Sequence, residues 1–289
     1  MENSVKQIML RANAKLNLAL AITGVYPDGY HALEMLNISV DAADEITLSA
    51  RADERINCDC SMYVPDEVNT AVLAAAKFCK EFGTPGADIS IRKGIPAGAG
   101  MGGSSADAAG VIAGLAELYG ITDSAALKEL AAGCGSDTSF MLRGGAAWVS
   151  GRGEVLEPLQ CRHMHFVLLC GGHVSTAQAY ARFDAEQRFK APEKTALIDA
   201  YQSGDLAALN AHSFNALEDA ARGLSADVGK NIALLNASGA EFVRMTGSGG
   251  GVFGAFQSKE AAARAHEKLS GSADVCLLLG SAYRGIDML

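Results

Sequence analysis

Apolar and polar residues alternate through the first fifty positions, and period-two alternation predicts strands over residues 6–10, 14–23, 36–40 and 45–49. Val25-Tyr26-Pro27-Asp28-Gly29-Tyr30-His31 interrupts them with Pro-Asp-Gly turn chemistry, and residues 41–44 read as a second turn. Pro65-Asp66 then opens a predicted helix whose apolar stripe is Val68, Val72, Leu73 and Ala76, ended by Gly83. A short strand over 89–91 leads into a glycine-rich loop, followed by an Ala-rich helix over 106–118. Asp123 is placed to cap a helix over 124–132, a short segment covers 138–142, and a strand covers 146–150. The polar stretch 151–159 reads as a linker. Beyond it the pattern predicts a strand over 165–169 and helices near 175–184, 193–202, 205–221 and 225–236. The chain then closes with a strand over 241–245, a glycine loop over 247–251, a strand over 252–256, a helix over 258–269 and a strand over 275–279. That closing order fits an α+β layer with an antiparallel sheet.

Composition narrows the class. Apolar residues make up 49% and charged ones 20% of 289 residues, which suits a globular enzyme of one large or two medium domains. A net charge of −9 argues against a general nucleic-acid binder, though local cations and helix ends can still hold an anionic substrate. No apolar run reaches membrane-span length and the N-terminus lacks a secretory h-region, so no membrane partner and a cytoplasmic location are expected. Seven scattered cysteines form no C-x-x-C pair, as in a reducing compartment. Cys58-x-Cys60 and His163-x-His165 are better explained by strand alternation than by metal ligation, because no further ligands accompany them.

The stretch Pro96-Ala97-Gly98-Ala99-Gly100-Met101-Gly102-Gly103-Ser104-Ser105-Ala106 carries the most chemistry. Glycines free the backbone to close on an anion, and the helix behind them adds unpaired N–H groups and a favourable dipole, so the loop reads as a phosphate cradle. It is not a Walker A loop, because G-x-x-x-x-G-K-[ST] is absent. Gly98-x-Gly100-x-x-Gly103 matches the dinucleotide fingerprint, as does Gly249-x-Gly251-x-x-Gly254, but residues 92–96 are too long and proline-bearing for the tight strand–turn–helix that fingerprint needs.

Three further places hold candidates. Lys15 and Asn17 lie two apart and share one face of a strand. Asp137 follows Gly135-Ser136 at a helix start, where a plain N-cap is the competing role. Tyr30-His31 follows the first turn. A phosphate cradle, a cation near a reacting oxygen and a carboxylate to accept a hydroxyl proton together suggest phosphoryl transfer to an alcohol.

The set of motifs resembles the GHMP kinase superfamily. Within it, Ala14-Lys15-Leu16-Asn17-Leu18 and Asp28-Gly29-Tyr30-His31-x-Leu33-Glu34 are similar to the branch whose acceptor is a cytidine-diphosphate-linked methylerythritol. Gly135-Ser136-Asp137-x-Ser139-Phe140, Gly151-Arg152-Gly153-Glu154, Asn215-x-Leu217-Glu218 and Met245-Thr246-Gly247-Ser248-Gly249 extend the likeness in order over almost the entire chain.

The resemblance implies an α+β, two-domain GHMP fold. Residues 1–157 would form the ATP-binding domain and 158–289 the substrate-side domain with its antiparallel sheet, the active site lying in the cleft between them. It implies an ATP- and Mg²⁺-dependent kinase acting on the 2-hydroxyl of that small-molecule acceptor in non-mevalonate isoprenoid synthesis, as a monomer or weak homodimer. By the same resemblance Asp137 is the base and Lys15 polarises the acceptor hydroxyl. Residues 96–106 with Asn69 and Lys93 hold ATP, and Ser105 lies near Mg²⁺. Asn17, Tyr30, His31, Thr176 and Tyr180 hold the acceptor, with His31 reading the cytosine edge between the two tyrosines. The competing readings are a GHMP kinase for another small alcohol, a non-catalytic GHMP-fold binder and a dinucleotide-binding oxidoreductase.

Overall fold

A computed structural model describes residues 6–62, 69–172, 174–186 and 188–289. The predicted helix start at Pro65-Asp66 and the stripe residue Val68 lie outside the described residues.

The alternating N-terminal text folds as a single long hairpin instead of four short strands. β1 (Gln7–Val25) and β2 (His31–Ala50) pair antiparallel over nearly their whole length. Residues 41–44, expected as a turn, form a bulge: Ala14 pairs with Val40 but Asn13 with Ala43. An extra pair of residues on one strand re-aims the chain without ending the ladder. The far edge of β2 serves three partners in succession. It takes β5 (Ala146–Gly151) at residues 33–38, β10 (Val275–Ala282) at 39–40 and β4 (Ala87–Arg92) at 45–50. β3 (Asn57–Cys60) adds to β4 in parallel, and β6 (Val155–Leu159) adds to β5. The expected linker over 151–159 is therefore a hairpin arm, turned at residues 152–154 with Gly153 at φ 115°.

β10 also carries the sheet into the second half, through β7 (His165–Cys170), β9 (Gly251–Phe256) and β8 (Phe242–Met245), all antiparallel. The C-terminal β11 (Ile286–Met288) returns to pair with β1, so the first and last strands lie in one sheet.

Helices cover the faces. Asn69 caps α1 (Thr70–Phe82), its side-chain oxygen accepting from the Ala71 amide. The face α1 buries is Ala71, Ala74, Ala75 and Phe78, while Leu73 stays 45% exposed. The larger aliphatic residues misdirected the expected stripe, because close packing against α2 (Gly103–Tyr119) selects small side chains. α2 itself lies tight on the sheet. A Cβ at Gly114 would come within 2.2 Å of Leu48 Cδ1 and one at Gly110 within 2.6 Å of Ile46 Cδ1. Asp123 caps α3 (Ser124–Ala132) as expected, accepting from Ala125 and Ala126 at 3.1 Å. α4 (Thr138–Arg143) follows directly after Asp137.

In the second half come α5 (Thr176–Glu186), α6 (Lys194–Ser203), α9 (Ala226–Ala237) and α10 (Lys259–Leu269). The single helix expected over 205–221 is two, α7 (Leu206–His212) and α8 (Glu218–Leu224). The break lets residues 213–217 run beside β1: Leu20 N–H donates to Phe214 O at 2.9 Å and Ala216 N–H to Leu20 O at 2.8 Å. Asn215 then reaches across the chain. Its Nδ2 donates to Met245 O and Gly247 O, each at 2.9 Å, and its Oδ1 accepts from Leu217 N–H.

Asn215→Ala should therefore cost about 2–4 kcal/mol, because it strips donors from two loop carbonyls in a buried setting. Urea unfolding of parent and variant checks this, and a loss below about 0.5 kcal/mol would mean that other contacts set the break.

Candidate active site

Two glycine loops meet end to end. In the first, Gly98, Gly100 and Gly102 take left-handed φ values of 71°, 68° and 76°, while the intervening Ala99 and Met101 are buried and anchor the turns. In the second, Gly247, Gly249 and Gly250 also have positive φ. Their backbones touch where any side chain would clash: a Cβ at Gly100 would sit 2.1 Å from Thr246 O, and one at Gly250 2.2 Å from Gly98 O.

Gly102 occupies the N-cap of α2 with no side-chain cap, which leaves the first amides of the helix without an intrahelical acceptor. Lysines flank this end. A Cβ at Gly102 would lie 3.3 Å from Lys15 Cε, and one at Gly103 3.6 Å from Lys93 Nζ.

Lys15 is buried on β1 and tightly held. Its Nζ donates to Asn17 Oδ1 at 2.6 Å and pairs with Asp137 Oδ2 at 3.4 Å. Asp137 holds the N-cap position of α4, yet its side chain makes no capping bond. The capping role is thus declined, and the carboxylate is turned to Lys15. Asn17 sits one layer behind. It is 1% exposed, and Oδ1 also accepts from Gly247 N–H at 2.8 Å while Nδ2 donates to Asn37 Oδ1 at 2.7 Å.

These groups open on a cleft of about 830 Å³. Of the expected site residues, Lys15, Asp137, Asn69, Lys93, Tyr30, His31, Thr176 and Tyr180 all line it, together with residues 96–104. Ser105, Ala106 and Asn17 are not among the lining residues; Ala106 is fully buried in the first turn of α2. Thr176 Oγ1 lies 2.7 Å from Ser248 Oγ, which lines the cleft although the sequence named it only within the 245–249 motif and not as a site residue. Tyr30 is 57% exposed, with the Arg152 guanidinium 4.8 Å above its ring. Tyr180 instead packs on His31, ring centroids 4.6 Å apart. Burial first, and the Asp137 and Asp184 charges after it, push the Tyr180 hydroxyl up to about 12, so it stays a neutral donor at ordinary pH.

Asp107 was also missed by sequence reasoning. It is the one acid amid the small buried residues of the first half of α2, and that contrast was its available signal. Lys93 Nζ bridges Asp44 and Asp107, the latter at 2.6 Å. Asp44 is fully buried, and its Oδ1 also accepts from the Gly94 and Ile95 amides. Asp107 Oδ1 is buried and lacks a protein partner. Two carboxylates thus share one ammonium. Burial opposes the Lys93 charge, but Asp107 and Asp44 together outweigh it and raise Lys93. For Asp107 burial wins over the pull of Lys93, with repulsion from Asp44 added, and raises it to about 7. Both shifts describe one cluster that prefers to keep a proton on its second carboxyl. Among the described residues no group of three or more His, Cys, Asp or Glu could hold a metal ion, and no helix is long and apolar enough to cross a membrane.

The descriptions "GHMP kinases N terminal domain" and "GHMP kinases C terminal" match residues 69–145 and 194–274. A 4-diphosphocytidyl-2-C-methyl-D-erythritol kinase of Bacillus cereus (strain B4264) is 37% identical over 255 residues, covering 86% of this chain and 88% of the relative. The same kinase of Syntrophomonas wolfei is 35% identical over 281 residues, covering 96% and 99%. A crystal structure of 4-(cytidine 5'-diphospho)-2C-methyl-D-erythritol kinase superposes with a TM-score of 0.81 at 30% identity, covering 95% and 99%. A homoserine kinase from Cytophaga hutchinsonii shares the fold, with a TM-score of 0.75 at 17% identity over 100% and 99% of the two chains.

The Asp107 cluster makes stability depend on pH. An acid near 7 when folded and about 3.9 when unfolded binds more protons in the folded state, so its contribution is full at low pH and is lost as pH rises toward 7. Asp107→Asn should remove that slope, gaining on the parent by at least about 1 kcal/mol between pH 5 and pH 8. Parallel stability–pH curves for the two proteins would show that the carboxyl is not raised.

Proposed function

The chain belongs to the GHMP kinases, and from that membership we propose that it transfers the γ-phosphoryl group of ATP to the 2-hydroxyl of 4-diphosphocytidyl-2-C-methyl-D-erythritol, a step of non-mevalonate isoprenoid synthesis. The observation that carries the chemistry is the Lys15–Asp137 pair at 3.4 Å, in a cleft lined both by the glycine loop and by the Tyr30, His31 and Tyr180 side chains. Asp137, free of capping duty, accepts the proton of the attacking hydroxyl. Lys15 stabilises the charge that gathers on the reacting oxygens, and Asn17, saturated by its own contacts, orients Lys15 from behind. The α2 amides receive the phosphates, while Asn69 and Lys93 flank the nucleoside half.

Mg²⁺, when bound with the triphosphate, would supply charge neutralisation. At the α2 end Ser104 in the cleft and Ser105 beside it would offer it hard hydroxyl oxygens, and among the described residues no group of three or more His, Cys, Asp or Glu forms a cage for it. Tyr30 and Tyr180 stack on the acceptor's base, and stacking tolerates any base, so discrimination falls to His31. Seven scattered cysteines without a C-x-x-C pair accord with a cytoplasmic setting.

Asp137→Asn should cut kcat by roughly 10²–10⁴ while leaving the calorimetric affinity for ATP within a few fold. Near-normal kcat would remove the base from the scheme. With ATP and Mg²⁺, ADP release should follow the cytidylyl acceptor and not mevalonate or homoserine; the reverse pattern would overturn the substrate assignment.

A further inference from the structure

His31 is held from one helix face. Tyr180, Phe183 and Asp184 are spaced i, i+3 and i+4 on α5, and all three meet the imidazole. Tyr180 covers the ring at 4.6 Å, Phe183 meets it edge-on at 6.4 Å, and Asp184 Oδ1 lies 2.7 Å from Nε2. The His31 side chain is 15% exposed, that of Asp184 46%. Among the described residues Nδ1 has no protein partner, and the residue lines the cleft.

We propose that Asp184 is a positioning residue that fixes the tautomer of His31 and thereby sets which pyrimidine the cleft accepts. A carboxylate can only accept, so Nε2 must carry the hydrogen of the neutral ring, and Nδ1 is left as a bare acceptor. An acceptor there pairs with the 4-amino group of cytosine and is repelled by the 4-oxo group of uracil. Without Asp184 the ring can move its hydrogen to Nδ1 and offer a donor, which suits the oxo group equally well. This deepens the reading above, in which His31 faces the base. The competing role is a half-exposed pair that merely staples α5 to the start of β2. Such a staple would affect stability and every acceptor alike.

Two measurements separate these roles. The first is the ¹⁵N chemical shifts of the His31 ring in ligand-free protein at about pH 8.5, where a free imidazole is neutral. The parent should show the Nε2–H form, and Asp184→Ala a mixture of both forms. An Nδ1–H parent, or a variant with the parent's shifts, overturns the proposal.

The second is kcat/KM for cytidylyl and uridylyl acceptors in parent, Asp184→Ala, His31→Ala and the double variant. Asp184→Ala should lower the cytidine-to-uridine ratio about tenfold, chiefly through KM for the cytidylyl acceptor. In the His31→Ala background the same change should leave the ratio where His31→Ala alone puts it, since Asp184 acts through that ring. Equal losses on both acceptors, or an Asp184 effect that persists without His31, overturn the proposal alone. A parent inert toward both acceptors overturns the substrate assignment, and base selection with it.

Discussion

One buried oxygen ties Lys15 on β1 to the second glycine loop. Asn17 Oδ1 accepts from Lys15 Nζ at 2.6 Å, from Gly247 N–H at 2.8 Å and from Thr246 Oγ1 at 3.3 Å. A carbonyl oxygen has two lone pairs, so three donors leave it nothing to offer a ligand. Its effect is to make the position of the Lys15 ammonium depend on a loop 230 residues further along the chain. Lys15 Nζ and the Gly247 amide can only donate, so they identify this atom as the oxygen, and the other side of the same amide donates to Asn37 Oδ1 at 2.7 Å.

That bond network requires the two glycine loops to touch. Gly100 against Thr246, Gly250 against Gly98 and Gly251 against Ala99 approach so closely that a Cβ on Gly100, Gly250 or Gly251 would fall 2.1–2.2 Å from a carbonyl oxygen. The first glycine loop therefore takes its shape from the second half of the chain as well as from the first. β10 pairing with β2, and β11 with β1, hold the halves in the register this contact needs. Asn215 completes the frame by holding Met245 and Gly247 from the far side.

Much of this was legible from the sequence, for stated reasons. Strands and helices with clear periods, the Asp123 cap and the glycine loop followed from local chemistry. The extent of the first hairpin was not legible, because a bulge and a turn look alike in residues 41–44. Nor was the break between α7 and α8, since Ser213–Leu217 leaves the helix for partners on β1 and in the second loop that no local pattern reveals. Lys15 and Asp137 were marked as candidates by two-residue spacing on β1 and a Gly-Ser-Asp break before α4, and only the family resemblance gave them roles; both line the cleft. Asp184 carried no such mark: an acid four residues after a tyrosine on an amphipathic helix looks like any solvated residue, and only the approach of His31 across the fold distinguishes it.

On the function proposed above, the charges in the cleft bear on which groups would hold a triphosphate. The chain is acidic overall at −9, and its two cleft lysines are already matched, Lys15 by Asp137 and Lys93 by Asp44 and Asp107. Side chains alone offer no surplus positive charge to a polyanion. On that proposal the attraction would come from groups that no carboxylate neutralises, namely the uncapped amides at the start of α2 and the backbone of the left-handed glycine turns. Such donors work only at fixed positions, because a partial charge on an amide falls off within a turn of helix. This is why the site depends on the tight contact between its two loops. A side chain at Gly100 would cost more than local strain: it would push the loops apart and spread the amides on which an anion relies.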